Sequence, residues 1–170
     1  TTVSASQYHV VVTPTADGAV TVDVPANVAD DNAGNGNQSS SVHTVTYDNT
    51  QPGVTITTGA ADPTDLSPFT VNITFDEPVT GFVVGDITVG NGSAGSFSGS
   101  GTTYSADITP AADGAVTVDV AAGVASDAVG NTNTAAVQLS RTYDGTQPTA
   151  TITSSLGAAT ATNAAFTDTI

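Results

Sequence analysis

The sequence predicts an all-β protein built from thin two-layer sandwiches in tandem, and three observations carry that expectation. First, Asp17-Gly-Ala-Val-Thr-Val-Asp-Val24 recurs letter for letter 96 residues on, as Asp113-Gly-Ala-Val-Thr-Val-Asp-Val120. The match stays in register through Asp31/Asp127, Gly34/Gly130, Asn35/Asn131, Asn37/Asn133, Tyr47-Asp48/Tyr143-Asp144 and Thr50-Gln51-Pro52/Thr146-Gln147-Pro148. A fixed offset held this long is an internal repeat. Second, nearly every segment alternates apolar and polar residues with period two, and no stretch has the period of a helix. Third, a unit of about 96 residues has the size of one small sandwich domain.

The repeat divides the chain. Residues 51–147 are expected to be one complete unit, and residues 1–50 the C-terminal half of another. Residues 148–170 should open a third, because Pro148-Thr-Ala-Thr-Ile-Thr153 echoes Pro52-Gly-Val-Thr-Ile-Thr57 and, after a one-residue insertion, Ala165-Phe166-Thr167 echoes Pro68-Phe69-Thr70. The chain is thus expected to begin and end in mid-repeat, as a piece of a longer array.

In the complete unit, Val54-Thr-Ile-Thr-Thr58 is the first strand. Phe69, Val71, Ile73 and Phe75 alternate with Thr70, Asn72, Thr74 and Asp76 to make the clearest one. Ile87 and Val89 mark a third, ended by Gly90-Asn91-Gly92. A short strand around Phe97 precedes a turn at Ser98–Gly101, after which Tyr104, Ala106 and Ile108 mark a fifth. Val116, Val118 and Val120 mark the sixth, and Val137, Leu139 and Tyr143 the last. Seven short strands with turn chemistry between them predict an immunoglobulin-like sandwich. The segment from Asp48 to Pro52, like that from Asp144 to Pro148, is a short Pro-stiffened linker, so neighbouring units should sit end to end.

Composition excludes several function classes. Sixteen acids face a single base, Arg141, for a net charge of −15. Nothing is available to neutralise phosphates, so nucleic acid is not an expected partner. No run approaches the roughly 18 apolar residues of a membrane span. Without Cys there is no disulfide, and without Lys no isopeptide staple. No enzyme is expected either. His9 and His43 fall in strands with no nucleophile or ligand cluster near them in sequence, and no Gly-rich loop opens a helix. Arg141 has core parity and is expected at the sandwich rim, its stem packed and its head on a carboxylate.

Metal is the stronger case. In a seven-strand sandwich the incoming linker arrives at the pole that carries the second-to-third, fourth-to-fifth and sixth-to-seventh strand loops. Those loops contain Asp76, Glu77 and Asp86, then Ser98–Gly101, then Asp127 and Asn131, and the linker brings Asp48. Asp31 and Asp144 are the repeat counterparts of Asp127 and Asp48. Carboxylate and carbonyl oxygens with no cation among them suit Ca2+, which takes six to eight such ligands, better than zinc or copper. Asp113, in an Asp-Gly pair, reads most simply as a turn residue.

Several motifs resemble a known family. Phe75-Asp-Glu-Pro-Val-Thr-Gly-Phe82, Asp86-Ile-Thr-Val89, Gly99-Ser-Gly-Thr-Thr-Tyr104, Thr109-Pro110, Ala112-Asp-Gly114, Ala125-Ser-Asp-Ala-Val-Gly-Asn131 and Tyr143-Asp-Gly-Thr-Gln-Pro148 are similar to the bacterial Ig-like repeats of giant surface adhesins, the biofilm-associated and RTX-type proteins. The resemblance covers the complete unit and both partial ones. It implies an extender segment of a secreted protein at the bacterial cell surface, rigidified by Ca2+ where repeats meet, with neighbouring repeats as its partners. Ser126 stands where the earlier copy has Asp30, so the two copies need not bind metal alike. Two other readings differ in what they require. A subunit of a self-assembling filament or sheath would pair its incomplete ends with other copies. A glycan- or protein-binding module would need an exposed aromatic platform, and Phe82 is the main aromatic off the core parity.

Overall fold

The computed structural model of the protein describes residues 2–4, 7–154 and 168–169. Its strands in chain order are β1 (Thr2–Ser4), β2 (Gln7–Tyr8), β3 (Gly18–Val22), β4 (His43–Tyr47), β5 (Val54–Thr58) and β6 (Phe69–Val79). They continue with β7 (Ile87–Gly90), β8 (Gly92–Pro110), β9 (Gly114–Val120), β10 (Leu139–Tyr143), β11 (Thr153–Ser154) and β12 (Asp168–Thr169). The only helical element among the described residues is a 3-10 turn at Val84–Asp86. The echo at Ala165-Phe166-Thr167 lies outside the described residues.

Two antiparallel sheets form the central body, ordered β5-β6-β8 and β10-β9-β7. Strand β6 shows why they stack. Its buried Phe69, Val71, Ile73 and Phe75 alternate with exposed Thr70, Asn72, Thr74 and Asp76, so one face is apolar. Tyr104, Ala106 and Ile108 of β8 extend that face, and Ile87, Val116, Val118 and Val120 of the second sheet close over it. Burying each large apolar side chain contributes about 1.5–3 kcal/mol. The buried hydrophobic core among the described residues runs from Val54 to Ala125, with Pro52 buried just before it. The core therefore belongs to the central unit.

Strand β8 is not straight. Ser98 Oγ lies 2.9 Å from Ser105 Oγ, although seven residues of extended chain span about 23 Å. A Cβ on Gly92 would stand 2.7 Å from Thr109 O. The two halves of β8 thus lie antiparallel, and the chain reverses around Gly101. Gly99 (φ +119) and Gly101 (φ +66) supply the left-handed backbone there, and a Cβ on Gly99 would come within 2.3 Å of Thr103 O. With β8 counted as two arms, the body has the seven strands of an Ig-like sandwich.

Three expectations need correction. Val137 does not open the last strand: β10 begins at Leu139 and Val137 is 88% exposed. As an edge strand of its sheet, β10 is only half covered. Phe82 is no surface aromatic but 5% exposed, edge-on to Phe75, Phe97 and Tyr104 at 5.1–5.7 Å between ring centroids. Arg141 is half-buried, but its Nε donates to Ala60 O and its Nη1 to Ser140 O. Carbonyls, not a carboxylate, take its head group.

The repeat is visible in hydrogen bonds. Strand β3 pairs β4 from Gly18↔Tyr47 to Val22↔His43, and β9 pairs β10 from Gly114↔Tyr143 to Val118↔Leu139, the same register 96 residues on. Asn37 and Asn133 make matching bonds: each Oδ1 accepts two backbone N–H groups and each Nδ2 donates to two carbonyls. Burial differs between the copies. Val24 is 49% exposed where its counterpart Val120 is 1%.

Candidate metal centre

Three segments build one end of the central sandwich. The first is the tight turn from Asp127 to Asn131, closed by a bond from Asp127 N to Asn131 O (3.0 Å) and helped by Gly130 at φ +104. Asp127 Oδ1 accepts the backbone N–H groups of Val129, Gly130 and Asn131 at 2.7–2.9 Å, and Oδ2 accepts Asn131 Nδ2 at 2.8 Å. The second is the end of β6, carrying Glu77. Reciprocal bonds between Thr80 and Ser126 (2.8 and 3.0 Å) dock it beside the Asp127 turn. The third is the linker. Asp48 Oδ1 accepts Thr50 N, Asp48 O accepts Asn131 Nδ2 at 3.3 Å, and buried Pro52 accepts Thr134 N through its carbonyl at 2.9 Å.

These contacts bring Asp48, Glu77 and Asp127 together, one carboxylate oxygen of each lying within 4.8 Å of the others. Asp127 is buried, while Asp48 and Glu77 are half-buried. Glu77 feels the crowding most. Desolvation, and then the charges of Asp48, Asp127, Asp76 and Asp17, push its carboxyl above the ordinary value of 4.5. Asp127 goes the other way. Desolvation pulls it upward, but the hydrogen bonds from Asn131, Gly130 and Val129 together hold it below 3.8. The arrangement is one fixed, pre-ionised carboxylate beside one that accepts a proton readily. All its donors are oxygens, and the chain's single base, Arg141, is bonded elsewhere. Such a set of oxygen donors would suit a hard divalent cation.

The remaining sequence-nominated residues separate. Asn131 belongs to the centre as the bridge between Asp127 and the Asp48 carbonyl. Asp86 instead caps the 3-10 turn, its Oδ2 accepting Val83 N at 2.8 Å, and is not in the three-carboxylate cluster. Asp31 rebuilds the Asp127 turn with Asn35 and Ala33, and these bonds, led by the Asn35 side chain, lower its pKa. It is not in a carboxylate cluster among the described residues. Asp144 repeats the Asp48 turn by accepting Thr146 N at 3.1 Å.

Sequence reasoning missed one pair. Asp113 accepts Gly145 N (2.7 Å) and Thr146 Oγ1 (2.5 Å), and Asp17 likewise accepts Asn49 N and the Thr50 hydroxyl. These aspartates are not merely turn residues; each anchors the linker that leaves its own hairpin. The recurrence of Thr50/Thr146 with Asp17/Asp113 was the available signal.

Comparison with known proteins agrees with this architecture. A family model described as bacterial Ig-like domain matches residues 48–144, beginning at Asp48 and taking in every strand of the central sandwich. No curated protein and no solved structure matches the chain significantly. The chain belongs to the bacterial Ig-like domain family.

Proposed function

We propose that this chain is an extender segment of a secreted bacterial surface protein, in which Ig-like units follow one another end to end and Ca2+ stiffens their junctions. The supporting observation is the meeting of linker residue Asp48 with Glu77 and Asp127 of the following unit. A cation held by all three ties the linker to the sandwich and removes the mutual repulsion that raises the Glu77 pKa. Carbonyl oxygens and water would complete the six to eight ligands that Ca2+ takes. The hydrogen bonds from Asn131 would keep Asp127 aimed. The role is mechanical, with no catalytic step. No helix among the described residues is long and apolar enough to cross a membrane.

Mass action sets the scale. Extracellular calcium sites have dissociation constants of about 10⁻⁴–10⁻³ M, so millimolar calcium would favour the docked junction by about 0.4–1.4 kcal/mol. That shifts a marginal docking equilibrium several-fold outside a cell and barely at all in the cytosol. Phe82, the aromatic off the strand alternation, is buried and offers no platform for a glycan.

The test is small-angle scattering of the chain in millimolar calcium and then in chelator. The expected result is a longer, narrower distance distribution with calcium, lost on chelation and absent in Asp127→Asn. Identical profiles in both conditions would refute the calcium-stiffened junction.

A further inference from the structure

The first segment of the central unit serves both sheets. Strand β5 pairs β6 antiparallel, from Val54↔Phe75 to Thr58↔Val71. Past its end the chain crosses to the other sheet, where Thr64 bridges Tyr143 in parallel. This is the one parallel pairing among the described residues, since every strand pair is antiparallel.

Four hydrogen bonds fasten residues 60–64 to residues 141–144. Arg141 Nε donates to Ala60 O (3.1 Å), and Thr142 N to Asp62 Oδ1 (2.9 Å). Thr64 N donates to Thr142 O and Asp144 N to Thr64 O, both at 2.9 Å. Thr64 is 5% exposed, so water competes poorly for the last two. The contact also covers the free edge of β10, the outer strand of its sheet.

The direction of the chain gives this contact a mechanical meaning. The incoming linker reaches the sandwich at the Asp127 end, where Asp48 O accepts Asn131 Nδ2. The chain leaves beyond Tyr143, which pairs Gly114 at the opposite end of β9. Tension between the two linkers therefore draws residues 60–64 one way and β10 the other. The two segments run parallel, so they slide past each other and their bonds carry the load together. Antiparallel neighbours pulled apart from adjoining ends, such as β9 and β10 at Gly114 and Tyr143, open one bond at a time instead.

We infer that residues 60–64 and 141–144 form a shear clamp by which the central unit resists tension along the chain. The inference rests on the extender reading, because only a unit joined at both ends carries such a load, but it needs no calcium. It also gives the chain's single base a task, since the Arg141 guanidinium ties Ala60 to β10.

Force spectroscopy of the 170-residue chain in chelator, with two directions of pull, tests the clamp. The chain has no Cys, so paired Cys substitutions place the handles. Gln51→Cys with Gln147→Cys loads the unit along its axis, whereas Ala112→Cys with Gln147→Cys peels β10 from β9. All three positions are exposed. The expected axial rupture force is several times the peeling force, in one event that frees about 90 residues, roughly 300 Å of chain. Asp62→Ala combined with Arg141→Ala should lower the axial force far more than the peeling force. Hydrogen exchange at the Val71 and Val118 amides checks that the sandwich remains folded in that variant. Equal forces in the two directions overturn the inference. So does an axial force that the double substitution lowers no more than the peeling force. Either result leaves the end-to-end arrangement standing, because scattering reads that separately.

Discussion

Asn133 and Asn37 form a natural experiment on what a buried polar group is worth. The Asn133 side chain accepts Val124 N (2.9 Å) and Ala125 N (2.8 Å) and donates to Ala121 O (2.9 Å) and Thr134 O (2.7 Å), with 0% of the residue exposed. Asn37 makes the same four bonds with Val28, Ala29, Pro25 and Gln38, but its surroundings are open to water. Asn133→Ala strands the N–H groups of Val124 and of buried Ala125, while the carbonyls of exposed Ala121 and Thr134 can turn to solvent. An unpaired buried donor costs about 1–3 kcal/mol, and each lost bond about 0.5–1.5 kcal/mol net. With the two carbonyls rehydrated, the two stranded donors predict a loss of about 2–6 kcal/mol, a large share of the roughly 5–15 kcal/mol that holds a small domain. Water replaces the same bonds in Asn37→Ala, so that change should cost about 1 kcal/mol. Urea unfolding followed by circular dichroism measures the first. Hydrogen exchange at Val124–Ala125 and Val28–Ala29 compares both sites locally. An Asn133→Ala loss below about 1 kcal/mol, or equal local losses at the two sites, would refute the desolvation argument.

Other consequences follow from the carboxylate centre and the aromatic cluster. Glu77→Gln removes the charge that its neighbours repel while keeping the shape, so the calcium-free junction should stiffen and calorimetric calcium affinity should fall. A Glu77→Gln variant as flexible as wild type in chelator would show that repulsion does not govern the junction. The pH dependence has a definite sign. The raised Glu77 pKa contributes stability that is present in acid and lost as pH rises through its folded value. The lowered values of Asp31, Asp62, Asp113 and Asp127 contribute stability that is lost as pH falls below 3.8 toward theirs. Without calcium, stability should therefore rise on mild acidification toward the ordinary carboxylate range and then fall, while calcium binding weakens throughout because protons compete for Glu77. Phe82→Ala should cost about 3–5 kcal/mol by emptying the space between Phe75, Phe97 and Tyr104. A surface recognition residue would leave the urea midpoint where it was.

Chemistry local to a few residues was legible in the sequence. The period-two runs at 54–58 and 69–76, the Gly-rich reversal before Tyr104 and the exact repeat are each decided by steric and apolar preferences that neighbouring residues express, and the folded chain follows them. Asp48, Glu77 and Asp127 could be nominated from loop order alone, because a seven-strand sandwich sends alternate loops to one pole. Tertiary packing decided what depends on distance between segments far apart in the chain. It buried Phe82, an aromatic off the strand alternation, edge-on against Phe75 and Tyr104. Asp86 is kept from the carboxylate cluster by a local bond instead, from the Val83 amide three residues earlier. Sequence sets which face of a strand is apolar; only the arrangement of the sheets sets whether another layer lies on it.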